Sequence, residues 1–188
     1  MHTFTTSEWV PYPVELVFAF FANPANLPHL TPGWQRLSLE SSRVIPPPPR
    51  PLAANLAHRF QSPAAGVGTE LLLSMRPVRF LPLRTTWLIK ITDFAWNSHF
   101  QDDLLKGPFA LWRHTHHIVR EEQPGADGSP SDGTRITDEL QYELPLGPLG
   151  SIAHTLFIRR QIAATFAFRQ QRLAEILPIA ARQATRRQ

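Results

Sequence analysis

From residue 69 onward the chain has a pattern that few folds can satisfy. Five segments, about 69–76, 83–94, 96–105, 108–122 and 134–144, read as strands. Pro77, Pro82, Gly107-Pro108 and the polar stretch QPGADGSPSDG separate them. One long helical segment, about 150–182, follows the break LGPLG. Wound at 3.6 residues per turn, it gathers Ile152, Leu156, Ile162, Ala163, Phe166, Leu173 and Leu177 into one stripe. Consecutive strands joined by short turns pair antiparallel. A single amphipathic helix must then cover the sheet's apolar face, which is an α+β arrangement. The sheet has to curve around the helix, and any space left between them is a cavity.

The N-terminal third fits the same plan. Residues 2–9 alternate and read as a strand. YPVELVFAFFANP reads as a helix, with Pro13 in its first turn and Val14, Val17, Phe18 and Phe21 on one face. Asn23-Pro24 stops it and starts a second short helix, PANLPHL. TPGW then makes a turn that places Trp34 at the head of a strand over about 35–44. The result is a sheet of about six or seven strands in a single domain over 1–188. Residues 45–66 interrupt it, because IPPPPRPLAANLAHRFQSPAAG cannot join a sheet and favours polyproline II. That insertion reads either as a stiff surface spacer or as a docking motif for a proline-binding module.

Composition narrows the chemistry. With no cysteine, disulfides, thiolate metal sites and cysteine nucleophiles are excluded. The expected compartment is the cytoplasm, since the apolar run LVFAFFA is too short to span a bilayer. The net charge of +4 is concentrated near the C-terminus, where seven arginines follow residue 151 against the lone Glu175. A basic helix could meet an anionic partner or simply be a solvated face. No glycine-rich phosphate loop or G-x-S-x-G elbow is present, and aromatics are not interleaved with basic residues on one strand.

Strand alternation decides which residues look inward. Trp87, Ile89 and Ile91 share a face, as do Leu71, Leu73 and Met75. Ile136, Asp138, Leu140, Tyr142 and Leu144 share another. In LWRHTHHIV, Trp112, His114, His116 and Ile118 lie together, while Arg113, Thr115 and His117 lie opposite. So His114 and His116 point in and His117 points out. Two inward histidines with Asp138 could form a two-histidine, one-carboxylate metal set. Strand alternation alone gives the same HxH spacing. The pair could equally be an oriented base, a ligand anchor or a satisfied core pair. The register between the two strands is open at this stage. Arg159 falls near the centre of the helix stripe, with Gln170 at almost the same angle. It needs an acceptor such as Asp102 or Asp138, an anionic ligand group, or a route to the rim. Phe157 and Phe168 fall on the outer face, where they could pack under the proline loop, contact a second subunit or touch a membrane.

FAFFANPANLPHLTPGW, GPFALWRHTH and TDELQYELPLGPLG together resemble the SRPBCC superfamily, the START-like helix-grip proteins. The bacterial ligand-binding and polyketide-cyclase/dehydrase group is the nearest match. That resemblance covers nearly the whole chain, and it implies a lipid, quinone or polyketide-like ligand. The cavity is then expected to be lined by Trp34, Leu71, Leu73, Trp87, Ile89, Phe100, Trp112, Leu140, Tyr142 and Phe166. His114, His116, Asp138 and Arg159 would be its polar contacts. No metal and no cofactor are assigned, and no nucleic-acid partner is expected. A cyclase/dehydrase-type enzyme using the inward histidine–aspartate pair is the second reading. An interaction protein using the basic helix is the third.

Overall fold

The computed structural model describes residues 1–51, 63–79, 82–125, 128–145 and 157–186. It contains strand β1 (His2–Val10), helix α1 (Val14–Phe21) and two 3₁₀ turns (Pro24–Leu30 and Gly33–Gln35). Strands β2 (Ser38–Arg43), β3 (Glu70–Met75), β4 (Thr85–Ala95), β5 (His99–Lys106), β6 (Leu111–Pro124) and β7 (Pro130–Glu143) follow. Helix α2 (Arg159–Arg186) ends the described chain. The seven strands form one antiparallel sheet in the order β1-β7-β6-β5-β4-β3-β2. From β2 onward each strand pairs with its successor, and β1 lies beside β7. This is the α+β arrangement that the strand count and the closing helix imply, in the helix-grip form that the family resemblance implies.

Three local features differ from the sequence reading. The TPGW turn continues as a 3₁₀ turn that ends at Arg36 in the left-handed region, φ 48°, so β2 begins only at Ser38. Trp34 is therefore half-exposed, and Gln35 turns inward instead. The polar stretch after β6 is a hairpin rather than a long turn, with strand pairing continuing to Pro124 and Pro130. In α2, Ala163 is exposed; Ile152 and Leu156 lie outside the described residues.

Packing divides the interior. One cluster joins α1 to the middle of the sheet through Val17, Phe18, Ile91, Phe100, Ile118 and Ile136, with Leu173 and Leu177 of α2 closing over it. Fully burying such side chains contributes about 1.5–3 kcal/mol each relative to exposure. A second cluster gathers Leu71, Leu73, Trp87 and Ile89, and a third gathers Leu140, Tyr142, Ile162 and Phe166. The described start of the proline insertion is tied to the body. Pro48 accepts from Trp96 Nε1 at 2.7 Å, and Arg50 stacks over that indole at 4.7 Å. Gly66 also requires its missing side chain, since a Cβ there would meet Pro47 Cα at 2.5 Å. Among the described residues no helix is long and apolar enough to cross a membrane.

Candidate functional site

The site sits where three neighbouring strands bring inward residues level with one another. Asp102 on β5 pairs with His114 on β6, and His116 on β6 pairs with Asp138 on β7. The pleat turns all four side chains to the same face. His114 and His116 are each 5% exposed, Asp138 3% and Asp102 9%. His117 points away, half-exposed and 4.0 Å from Glu139.

Asp138 Oδ1 is the hub. His114 donates to it from Nε2 at 2.9 Å, and Arg169 of α2 donates from Nη1 at 3.1 Å. His116 Nδ1 lies 2.7 Å from the same oxygen, but out of line for a hydrogen bond. Asp102 Oδ1 faces the other nitrogens of both rings, at 3.4 Å from His116 Nε2 and 3.9 Å from His114 Nδ1. Aromatic rings wall the pair. Phe100 stacks on His116 with centroids 4.3 Å apart, and Phe166 meets His114 edge-on at 5.4 Å.

The charges sort the two histidines apart. Burial and the neighbouring His116 push His114 below the usual histidine range, and Asp138 and Asp102 only partly offset this. Burial also opposes charge on His116, but its contacts with Asp102 and Asp138 outweigh that and hold it above the usual range. Burial opposes ionisation of Asp138 too. Arg169 and the two histidines prevail and keep its carboxyl well below the ordinary value. Asp102 is lowered despite burial for a similar reason, with His116 and His114 as the main partners. Neighbouring groups with opposed shifts are the arrangement expected for an acid and a base in one site.

A cavity of about 200 Å³ opens beside this network, between the sheet, α2 and the first 3₁₀ turn. Leu71, Leu73, Trp87, Ile89, Phe100 and Trp112 line it from the sheet. His114, His116 and Phe166 line it as well. Several residues expected on its wall are elsewhere. Trp34 is displaced by the 3₁₀ turn. Leu140 and Tyr142 are sealed against Phe4, Ile162 and Phe166, at 0% and 1% exposure. Asp138 lies behind the histidines rather than on the wall. Arg159, the expected inward cation, is exposed at the first turn of α2. Arg169 takes that role, while Gln170 bonds to Thr6 on β1.

Residues 10–167 match the polyketide cyclase/dehydrase and lipid transport family. The chain belongs to that family. A comparison with curated protein sequences found no match. Among solved structures, TTHA0849 from Thermus thermophilus is similar with TM-score 0.60 and 17% identity, over 96% of this chain and 99% of that one. CV1439 from Chromobacterium violaceum is similar with TM-score 0.53 and 12% identity, over 94% and 98% of the two chains. A nucleoside-diphosphate sugar epimerase from Corynebacterium glutamicum is 26% identical with TM-score 0.54. That match covers 97% of this chain but 30% of the epimerase chain.

In this family member, many lining residues escaped the reading of the sequence as wall residues, and three polar ones, Asp102, Arg169 and Gln35, bear on the site. Asp102 stands two positions after Phe100 on an alternating strand, so the same arithmetic that turned Phe100 inward turns Asp102 inward. Arg169 falls three residues after Phe166 and four before Leu173, on the same helix face. Gln35 had no comparable signal, because a left-handed residue after it set its direction. Its side chain donates to Thr165 at 3.1 Å, and both residues line the cavity.

Proposed function

We propose that the protein binds a largely apolar small molecule in this cavity, with an oxygen-bearing end of the molecule against His114, His116 and Asp102. One observation carries the reading: apolar and aromatic residues make up much of the cavity wall, and the buried Asp102, His114 and His116 form one polar cluster on it. That is the usual composition of a small-molecule site. Lipids, quinones and polyketides share the matching shape, an apolar body with carbonyl or hydroxyl groups. The family's association with lipid transport supports the class. Leu71, Leu73, Trp87, Ile89 and Trp112 hold the body. Arg169 lines the cavity, and its Nε is buried without a hydrogen-bond partner among the described residues. It offers a donor to a ligand carbonyl or carboxylate. A cysteine-free chain of this kind suits a reducing cytoplasm.

The test is native mass spectrometry of protein purified from its own host, with denaturing analysis of anything released. A stoichiometric apolar molecule, lost on Trp112→Ala in a variant that still folds, supports the reading. A bare mass, together with no displacement of an apolar fluorophore by fatty acids, quinones or aromatic polyketides, sinks it.

The opposed shifts of the two histidines favour a second reading, catalysis on the bound molecule. His114, held neutral, can accept a proton from carbon next to a carbonyl. His116, whose hold on a proton Asp102 and Asp138 strengthen against burial, can give one to the carbonyl oxygen as the enol forms. Deuterium uptake at that carbon in heavy water, abolished by His114→Gln with binding retained, is the expected result. Binding without exchange leaves the protein a carrier.

A further inference from the structure

We propose that Asp102, His114 and His116 form a binding site for one divalent transition metal ion, zinc or iron(II) in class, at the inner wall of the cavity. Each histidine offers a ring nitrogen and Asp102 a carboxylate oxygen, all within 4.8 Å of one another, and the nitrogens that face Asp102 Oδ1 are His114 Nδ1 and His116 Nε2. Two imidazoles and one carboxylate are a ligand set that suits zinc and non-haem iron.

The spacing fits ligands of a shared ion better than hydrogen-bonded partners. Metal–nitrogen and metal–oxygen bonds of about 2.0–2.2 Å at tetrahedral angles place donor atoms roughly 3.3–3.6 Å apart. Asp102 Oδ1 lies 3.4 Å from His116 Nε2 and 3.9 Å from His114 Nδ1. Both are beyond an ordinary N–H···O bond, and both are within a few tenths of an ångström of a coordination polyhedron.

Asp138 supplies the second argument. Histidines that bind metal usually give their other ring nitrogen to a carboxylate, which fixes the tautomer and aims the ring. Here His114 donates Nε2–H to Asp138, and His116 Nδ1 sits 2.7 Å from the same oxygen. With Nε2 as the donor, a neutral His114 presents the Nδ1 lone pair toward the Asp102 carboxylate. Two electron-rich atoms facing each other in a buried site are reconciled by a cation between them. The outer carboxylate thus aims the His114 ring at a second, inner carboxylate, and His116 Nδ1 lies close to the same oxygen without a hydrogen bond to it.

The assignment differs from the two-histidine set that the sequence suggests. Asp138 is the orienting group and Asp102 the ligand. Asp102, His114 and His116 line the cavity and Asp138 does not, so unfilled coordination positions face the cavity. Arg169 bonds to the outer carboxylate and to none of the three ligands. With both rings neutral, two carboxylates and one guanidinium leave one negative charge, and a divalent ion turns this positive. An anionic oxygen from the cavity, such as an enolate or carboxylate, would complete both charge and coordination.

The test uses the full chain, stripped with chelator and titrated with Co²⁺, then with Zn²⁺ in competition. One equivalent of Co²⁺ with the strong visible absorption of a low-coordinate nitrogen–oxygen site, displaced by Zn²⁺, is expected. Asp102→Asn and His116→Ala should lose at least 100-fold in affinity while keeping the wild-type circular dichroism. Asp138→Asn should lose 10–100-fold, as orienting groups do. His117→Ala, on the opposite face, should bind as wild type. If folded wild-type protein binds no stoichiometric Co²⁺ or Zn²⁺, or if Asp102→Asn binds as well as wild type, the site is overturned. Apolar-ligand binding is measured separately on stripped protein, so failure of one reading is not failure of the other.

Discussion

Strands β6 and β7 pass through two environments within a few residues. At Ile118 and Ile136, paired in register, both side chains are almost wholly buried beneath Leu173 and Leu177. At His114, His116 and Asp138 the same strands carry polar groups beneath Phe166 and Arg169. The backbone pairing is alike at both places. What differs is what α2 lowers onto it. Two leucines close the first region into a dry core, and a phenylalanine and an arginine leave the second polar and beside a cavity. The first region is built for stability, and the second tolerates an energetic cost for a site.

The largest test of that division is Asp138→Leu. It removes the carboxylate oxygen that His114 and Arg169 both bond and leaves a guanidinium buried without its counter-charge. Breaking one side of a buried ion pair costs about 3–5 kcal/mol. Chemical denaturation should show a loss of that size. Adding Arg169→Met should restore much of it, because an apolar replacement of both partners is often near neutral. A loss below about 1 kcal/mol in the single variant, the range of an exposed pair, would mean that Asp138 is not the hub.

Leu173→Ala tests the other region. The side chain is 0% exposed, and truncation should cost about 2–5 kcal/mol through lost burial and a residual void. Ligand affinity should be unchanged at temperatures where the variant is folded. A parallel loss of affinity would show that the two regions are coupled through α2. Leu73→Trp makes the reverse cut. Leu73 is 2% exposed and lines the cavity. Filling the space should cut affinity at least 10-fold with only about 1–3 kcal/mol of overpacking cost. Unchanged affinity would place the ligand elsewhere.

The same contrast explains what could be read without coordinates. Alternation and helical period carry the dry core and the directions of His114, His116 and His117, because each depends on spacing within one element. The register does not: whether Asp138 meets one histidine or both depends on where two strands pair, and the polar stretch between them gave no anchor. Arg159 and Arg169 show the limit of a helical wheel. Both lie near the apolar stripe, but Arg159 is exposed at the first turn of α2, while Arg169 turns inward and bonds to Asp138. Angle around a helix is legible in a sequence, and axial position relative to another element is not. Asp102 was legible in direction, since Phe100 two residues earlier gives it, but which histidine it meets depends on the pairing of β5 with β6, which spacing within one strand does not carry.

Glu8 gives the smallest expected effect and the finest test of the polar region. It lies on β1, half-buried, paired in register with Ile136. Burial, and then the negative charge of Asp138, push its carboxyl up to about 7, with Arg169 only partly offsetting them. The unfolded chain has the ordinary value of 4.5. Between those two values the folded protein binds the extra proton and the unfolded chain does not, so stability falls as pH rises through that window. Above about 7 the full cost of the buried charge applies, on the order of 1–2 kcal/mol after allowance for solvent screening. Glu8→Gln cannot ionise and escapes that cost. Its melting temperature should exceed the wild-type value at about pH 8 and match it near pH 4.5. The lowered carboxyls of Asp102 and Asp138 are common to both proteins, so their acid-side losses cancel in the difference. A difference that does not grow across that window would place Glu8 outside the field of Asp138, and the polar region would then end at β7.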